Sequence, residues 1–479
     1  MKTNPMLIAC LCPLVFAACT SIEPVVRPEV HLAGQWLETA SIDADEAKPV
    51  SSAWWQDFSS PQLDRLIDTA FQGNPDLRIQ GERIVQAELA LGNARASLFP
   101  SLNLSGNSGW NRSDSGDRGG SVVSERKNSS LNLSASYELD LWGRIAASVA
   151  SSEASLQASH HDFDAARLSL AASIATTYFQ HLTHQRRLAI AKENLAIAER
   201  VLKVVEARYH NGAVSALDLS RQQTAVLSQR AAIEPLAVDV RQSRSALAIL
   251  TGTPPQTFTL DPEVAEITEA ADTLDALTIP SIAPGLPAEL LLRRPDLASN
   301  EAQLTAAAAN ITVARAELFP KLSLSAAAGM ASDFLFSLAD PSNSASISAS
   351  VVQSIFDGGR LRAQVDISRS RQRELVESYR KNILTALKEV EDALGNVARD
   401  THHEEAQRQI LFEAERSLRL AESRYHAGAD DLLTVLDAQR NRFSAQEQLA
   451  QLRLARLVDA VGLYKVLGGG WRPEGEQTP

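Results

Sequence analysis

The sequence has 479 residues, of which 44% are hydrophobic, and a formal net charge of −12. It contains no basic tract and no stripe of aromatic and basic residues, which excludes nucleic acid as a partner. After the N-terminal leader no run approaches 18 consecutive apolar residues, so no helix is expected to span a membrane, and any span has to be made of strands.

The N-terminus has the features of a secretory leader with a lipidation site. Lys2 is followed by an apolar run and two alanines, which predicts a signal peptide over residues 1–18. Cys19 then stands where a bacterial lipobox has its acylated cysteine, and Thr20 lacks the carboxylate that retains such lipoproteins at the inner membrane. We expect lipid attachment at Cys19 and delivery to the outer membrane. The alternative is an ordinary signal peptide with an incidental cysteine.

An N-terminal lipid-anchored segment over residues 19–60 and a first repeat over residues 61–286 are expected next. Within that repeat, hydrophobic spacing predicts a helix, a strand pair over 99–141, a long helical hairpin over 143–250, and a Pro-rich connector. The N-terminal segment, the connector and the C-terminal tail are expected to lie where two shorter helices, stacked end to end, meet beside a long helix.

The strand pair is indicated by strict alternation. From Leu131 to Leu141 every odd position is Leu, Ala or Tyr, and every even position is Asn, Ser, Glu or Asp. This pattern is typical of a tilted membrane strand with one face in lipid and the other toward water, although a soluble β-layer alternates in the same way. Residues 111–128, rich in Ser, Gly and charge, are expected to form an exposed loop.

The sequence then repeats its own plan over residues 287–467. The segment "ARASLFPSLNLS" from Ala94 pairs with "ARAELFPKLSLS" from Ala314, a shift of 220, and Arg-Tyr-His-x-Gly from Arg208 returns at Arg424, a shift of 216. The same order of motifs in both halves indicates an internal duplication. The matching elements are expected to be a strand pair over 319–356 and a helical hairpin over 358–467, followed by a C-terminal tail over 468–479.

Each hairpin begins with a long proline-free segment, Gly143–Tyr209 in the first repeat and Gly358–Tyr425 in the second. Apolar residues recur there at spacings of three and four, which predicts two helices of roughly 100 Å. Gly212 and Gly428 follow, and glycine favours the left-handed conformation that ends a helix. The two Arg-Tyr-His-x-Gly segments are therefore predicted to be hairpin tips.

Four strands are too few to close a barrel, and an open sheet edge is not stable in lipid, so the chain is expected to oligomerise. Two copies would supply eight strands around a filled interior, whereas three copies would supply twelve strands with room for a channel. A homotrimer fits a transport role better.

These features together resemble the TolC-type outer-membrane efflux factors, especially the lipid-anchored members that serve RND-type tripartite systems. The resemblance rests on the leader, the duplicated "LFP" junctions, the paired tips and "TVLDAQR" at Thr434–Arg440. It implies an α+β membrane channel, in which a trimeric twelve-stranded transmembrane β-barrel, four strands per chain, continues into a long α-helical coiled-coil barrel with a mixed equatorial domain.

The same resemblance implies a function. The chain would be a passive outer-membrane exit duct for drugs or other small toxic compounds, with a long periplasmic extension and with neither a cofactor nor a catalytic activity. Its partners would be two further copies of itself, outer-membrane lipid, a periplasmic adaptor and an inner-membrane RND-type transporter. Alternatives are a type I protein-secretion channel of the same fold and a trimeric surface adhesin or structural coiled-coil protein.

The resemblance further places the tips at the periplasmic aperture. Asp218, Tyr425 and Asp437 match positions that the family uses there, whereas Asp430 stands where some relatives have a closing arginine. The expected aperture residues are Asp218, Tyr425, Asp430, Asp431, Thr434 and Asp437. The expected tip-turn and adaptor-contact residues are Arg208, Tyr209, Gly212, Arg424 and Gly428.

Two interpretations of the acidic second tip remain open. In a trimer, its aspartates would form an acidic ring that repels anions, with Arg208 or Arg424 offsetting the charge and latching the tips. Alternatively, Asp430 and Asp431 only stabilise a helix N-terminus.

The remaining polar clusters are expected to be solvated helix surface. His160, His161, His181 and His184 could bind metal only if their helices aligned, and no metal site is predicted from them. Glu404 and its polar neighbours His402, His403 and Glu405 are likewise expected to face water.

Overall fold

The computed structural model describes residues 24–38, 49–117, 120–260 and 273–472, so the predicted signal peptide and Cys19 lie outside the described residues. The chain divides into two units. The strand unit holds Arg83–His160, Ser299–Arg380 and the described residues before Val30. The tip unit holds the described residues of Val30–Glu82, His161–Ala298 and Lys381–Pro479.

The order of helix, strand pair and helical hairpin occurs twice, as the sequence predicts. The helices are α1 Pro61–Gly73, α2 Pro75–Ala96, α3 Arg144–His210, α4 Ala216–Leu250, α5 Leu290–Arg293, α6 Pro295–Ala316, α7 Arg360–His426 and α8 Leu432–Val466. The strands are β1 Ser101–Asp117, β2 Gly120–Leu139, β3 Lys321–Ser332 and β4 Ser342–Val352. Short 3-10 turns lie at Trp54–Phe58 and Pro287–Glu289.

The four strands of the strand unit form one antiparallel sheet in the order β1-β2-β3-β4. Cross-strand partners include Leu131 with Met330, where the two repeats meet. The alternation leaves an apolar face exposed, and Ile347 on β4 is 89% accessible in the single chain. The outer sides of β1 and β4 are unpaired within the described sheet.

The predicted loop over 111–128 is wrong, because β1 and β2 remain paired out to Asp117 and Gly120. Backbone pairing needs no apolar side chains, and opposite charges placed across the ladder stabilise it. Arg112 and Glu125 are such partners, with 3.2 Å between Nη1 and Oε1.

The return from strand to helix in the first repeat is fixed by polar and aromatic contacts within the strand unit. The indole Nε1 of Trp142 donates to the Pro320 carbonyl at 2.7 Å, and its ring stacks on Phe319 with the centroids 4.8 Å apart. Asp140 accepts from the backbone N–H of Ile145 at 3.0 Å, so a carboxylate caps the free N–H groups that begin α3.

In the tip unit, aromatic side chains pack the segment before α1 against the long helices. Trp54 stacks on Tyr464 of α8 at 5.1 Å, and Phe58 packs on Phe179 of α3 at 5.0 Å. The Tyr464 hydroxyl donates to Asp57 at 2.7 Å, which satisfies a buried polar group. The segment before α1 is therefore packed onto both hairpins.

Where the sequence suggested one helix before each strand pair, the structure has a break. The first break lies at Asn74, before Pro75, and the second at Arg294, before Pro295. Proline disfavours the helical conformation in the residue before it and is well tolerated at the first position of a new helix.

Glu404 corrects the prediction of a solvated polar surface on α7. Its neighbours in sequence are exposed, but Glu404 is only 1% accessible. Its carboxylate accepts from Arg408 Nη2 at 2.7 Å and Arg456 Nη1 at 2.5 Å, and lies 3.6 Å from Arg453 Nη1. Arg453 also donates to the carbonyl of Leu277 in the connector. The cluster therefore joins α7, α8 and the connector.

Among the described residues, no helix combines the length and the apolar character needed to cross a lipid bilayer.

Candidate functional site

Both hairpin tips are built on the same turn. Gly212 has φ +71° and Gly428 has φ +74°, the left-handed conformation that glycine adopts without strain. In the first tip the N–H of Gly212 donates to the Tyr209 carbonyl at 2.9 Å, and the N–H of Ala213 donates to the Arg208 carbonyl at 2.8 Å. The second tip repeats this pair of bonds. Each long helix thus ends in a Schellman motif that satisfies its last carbonyls.

After the glycine, the first tip begins its returning helix with a capping box. The Asp218 backbone N–H donates to Ser215 Oγ at 3.2 Å, and Asp218 Oδ2 accepts from the Ser215 N–H at 3.1 Å. The carboxylate predicted at the constriction is therefore held at the N-terminus of α4 in this chain. A carboxylate is favoured there by the free N–H groups and the helix dipole.

The second tip contains two adjacent carboxylates with different partners. Asp431 is the N-cap of α8 and accepts from the N–H of Thr434 at 3.0 Å and from its hydroxyl at 2.9 Å. These hydrogen bonds lower the pKa of Asp431. Asp430 instead pairs with Arg424, with Nε–Oδ2 at 2.7 Å and Nη2–Oδ1 at 3.1 Å, and this bidentate contact lowers the pKa of Asp430. The helix N-terminus interpretation fits Asp431, whereas Asp430 is neutralised by Arg424.

One contact joins the two tips directly. The Arg208 guanidinium lies 4.4 Å from the ring centroid of Tyr425, and its Nη1 donates to the Tyr425 carbonyl at 3.5 Å. Tyr425 is only 6% accessible, and its hydroxyl has no partner among the described residues. Burial of the ring strengthens a cation–π contact because less water competes for the guanidinium.

An apolar cluster lies behind this contact and was missed by the sequence analysis. In this cluster, Val205 of the first hairpin packs with residues of the second hairpin. The members of the cluster are Val205, Leu418, Ala421, Tyr425, Leu432, Val435 and Ala438. The apolar spacing near the ends of the long helices indicated a buried face there, but it does not show which neighbouring helix packs against that face.

Polar contacts continue the junction between α3 and α8 beyond the tips. Arg442 Nη2 donates to Glu193 at 2.9 Å, and Arg187 Nε donates to Glu447 at 2.7 Å. The hairpins are thus held together by paired charges as well as by apolar packing. Sequence reasoning missed these residues because each pair is separated by about half the chain.

The other predicted aperture residues have local partners. Asp437 lies 3.6 Å from Arg440 one turn along α8, and both side chains are exposed. Tyr209 is partly exposed, and its ring contacts His210. The structure therefore joins Arg208 to Tyr425 across the two tips, pairs Arg424 with Asp430 within the second tip, and gives Asp437 only a local partner.

Among the histidines of α3, His181 is held by hydrogen bonds on both ring nitrogens. His181 is buried, with Nδ1 2.9 Å from Ser243 Oγ and Nε2 3.1 Å from Gln185 Nε2. Burial, together with the nearby His184, lowers the pKa of His181 to about 4. Within the part of the chain that the structure describes, no group of three or more metal-ligating side chains is found.

The chain is similar to known proteins over almost its whole length. The family model described as outer membrane efflux protein matches residues 66–253 and 286–469. The pyoverdine export outer membrane protein OpmQ of Pseudomonas aeruginosa is 38% identical, with 99% of this chain and 98% of that protein covered. The toluene efflux pump outer membrane protein TtgC of Pseudomonas putida is 33% identical, with 98% and 96% covered. The solved outer-membrane channel OprN matches with a TM-score of 0.80 at 27% identity, covering 94% of this chain and 100% of that chain.

Proposed function

Because this chain belongs to the outer membrane efflux protein family, we propose that it forms the outer-membrane exit duct of a tripartite efflux system. The observation that carries the proposal is the match of the family model to both halves, each with a strand pair and a hairpin tip. The duct would conduct passively, while selection and energy would come from an inner-membrane RND-type transporter and a periplasmic adaptor.

Small organic molecules are the proposed cargo class. The relatives are named for the export of pyoverdine and for the efflux of toluene, which supports small-molecule export over the type I protein-secretion alternative.

We propose that the working assembly is a homotrimer. A four-stranded sheet leaves the outer edges of β1 and β4 unpaired, and an exposed apolar face accompanies them. Joining β4 of one copy to β1 of the next would satisfy these edges and give twelve strands with room for a channel.

The tips would close this duct by a latch within each chain. The Arg208–Tyr425 contact joins the first hairpin to the second, and the Arg424–Asp430 pair stiffens the second tip. Opening would require the second hairpin to move away from the first, which breaks the cation–π contact and exposes the apolar cluster around Val205. An adaptor that grips the tips could supply this free energy.

Deleting the gene in its native strain tests the function. The strain should accumulate an amphiphilic dye and become sensitive to organic toxicants, and the wild-type gene on a plasmid should restore both properties. Cross-linking in the complemented strain should recover a periplasmic adaptor with the chain. Unchanged accumulation of every compound tried, together with no adaptor recovered, would refute the proposed duct.

The latch is tested by single-channel conductance in planar bilayers. Arg208→Gln removes the cation but keeps a hydrogen-bond donor, and a contact worth about 1 kcal/mol per chain should raise the frequency of opening at least severalfold. Arg200→Gln, the same change on an exposed position of α3, is the matched control. An equal frequency of opening for the two variants would rule out the latch while leaving the duct intact.

A further inference from the structure

Two carboxyl groups meet where α7 and α8 pack against each other. Asp400 on α7 has a side chain only 6% accessible, and Asp459 on α8 lies beside it, one helical turn along both helices from the contact between Glu404 and Arg456. The Asp459 Oδ2 atom is buried and has no hydrogen-bond donor in the described part of the chain. Two carboxylates side by side in a buried position repel each other, which favours a proton on one of them.

The charged groups around the pair neutralise only part of its charge. Arg399 Nε donates to Asp400 Oδ1 at 2.6 Å from an exposed position, and His403 on the same helix also faces Asp400. Among these groups, Arg399 is the close permanent cation for the two carboxyl groups.

A cavity of about 560 Å³ borders Asp459 and is lined by further charges. Arg294 in this cavity is bound to Asp296 and Glu389, and Asp392 is bound to Lys388 on its own helix. The remaining charged lining residue, Lys465, is exposed. Residues from α3 complete the wall without adding charge, and they are Ala165, Leu168 and Ser169.

We propose that Asp400 and Asp459 form a proton-dependent clasp, which holds α7 to α8 while the pair shares a proton and loosens when both carboxyl groups ionise. Burial and the neighbouring Asp400 raise the pKa of Asp459 to about 6, and the hydrogen bond from Arg399 lowers the pKa of Asp400. The proton therefore sits on Asp459. Because that pKa is raised on folding, the clasp is closed at acidic pH and is lost as the pH rises through about 6.

The duplication supplies a comparison inside the same molecule. The shift of 216 places Asp400 on His184 and Asp459 on Ser243 of the first hairpin. In the first hairpin, Ser243 contacts His181 instead, and burial lowers the pKa of that imidazole, so its charged form is unfavourable. Acid should therefore loosen the first hairpin at this level while it tightens the second.

Hydrogen exchange read by mass spectrometry on the full-length protein in detergent tests the clasp. Protection factors, corrected for the intrinsic pH dependence of exchange, are compared at pH 5.0 and 7.5 for peptides over 396–403 and 456–463. Wild-type protein should be about tenfold more protected at pH 5.0, a value reduced from the full pKa shift for solvent screening. Peptides around His181 should change in the opposite direction.

Asp459→Asn keeps the shape of the side chain and supplies a permanent donor to Asp400, so it should keep high protection at both pH values. Asp392→Asn, on α7 and beside the same cavity, is the matched control and should respond like wild type. Asp400→Asn removes the repulsion from the other side and should also abolish the response. Equal wild-type protection at the two pH values, or an unchanged pH response in both carboxyl variants of the pair, would overturn the clasp.

Discussion

Replacing Glu404 with glutamine should loosen the contact between α7, α8 and the connector. Glu404 pairs with Arg408, Arg453 and Arg456, and its side chain is almost completely buried. Glutamine keeps the size and one acceptor oxygen. It removes the charge and points an N–H₂ group toward a guanidinium, so the change isolates electrostatics from packing.

The expected loss can be worked out from the three arginines. Arg408 is more than half exposed and can recover its hydrogen bonds from water, so it contributes little to the loss. Arg453 is only 13% accessible and Arg456 23%, and both would remain largely buried beside a neutral amide. Breaking a buried pair on one side costs about 3–5 kcal/mol, and the partial exposure here reduces this to about 2–4 kcal/mol.

The pH dependence has a definite sign. Burial alone would raise the pKa of Glu404, but the hydrogen bonds from Arg408 and Arg456 prevail and lower it. A carboxyl group with a lowered pKa contributes stability above its unfolded value and loses it as the pH falls through the folded value. The wild-type cluster should therefore weaken in acid, and Glu404→Gln should lack that response.

The assay is hydrogen exchange across the connector, where Arg453 holds the Leu277 carbonyl. Glu404→Gln should lower protection of the segment 273–280 by more than tenfold at pH 7.5, as expected for a loss above about 1.4 kcal/mol. Glu405→Gln removes the same charge from the adjacent exposed position and should leave protection unchanged. If the two variants give the same protection, Glu404 does not hold the cluster together.

Three further outcomes are expected. Gly468→Ala should lower the melting temperature of the helical circular dichroism signal sharply, since its Cβ would lie 1.8 Å from the Arg293 carbonyl oxygen, whereas Gly462→Ala, with open space, should not. In the wild type, the free energy of unfolding should fall by about 2–3 kcal/mol between pH 6.5 and 4, because His181 takes up a proton in the unfolded chain but not in the folded chain. His181→Gln should lack this decrease, and melting curves that depend on pH as in the wild type would contradict the prediction. Gly428→Ala should cost about 1 kcal/mol through its positive φ alone, seen as reduced exchange protection of the second tip.

The sequence predicts elements well where one local rule decides them. Strict alternation correctly places the part of β2 from Leu131 to Leu139, because each side chain has to face one of two sides, and Gly212 and Gly428 mark the tips because few other residues adopt a positive φ. The family and its outer-membrane efflux role are confirmed by matches along the whole chain. The outer hairpin over 111–128 was missed because a ladder of backbone hydrogen bonds leaves no mark on side-chain composition.

The candidate site was less predictable, because its contacts join distant parts of the chain. Arg208 meets Tyr425 across 217 residues, and nothing local shows that the guanidinium lies on that ring. Glu404 has the same sequence context as its exposed neighbour Glu405 and differs only in the helix face on which it stands. Helical spacing predicts an apolar stripe, but it does not predict which polar residue at the edge of the stripe becomes buried.

The two halves make corresponding side-chain contacts to a backbone carbonyl, but with different residue types. Asn74 Nδ2 donates to the carbonyl of Leu250 at 2.8 Å, and Arg294 Nη1 donates to the corresponding carbonyl of Val466 at 3.5 Å. Each contact ties the break between two short helices to the end of a returning helix. Asn74 is neutral and also caps α2, whereas the charged Arg294 also binds Glu389 of α7. Because a side chain at the break binds a carbonyl at the end of the returning helix in both halves, the fold accommodates either a neutral or an ionisable residue at this junction.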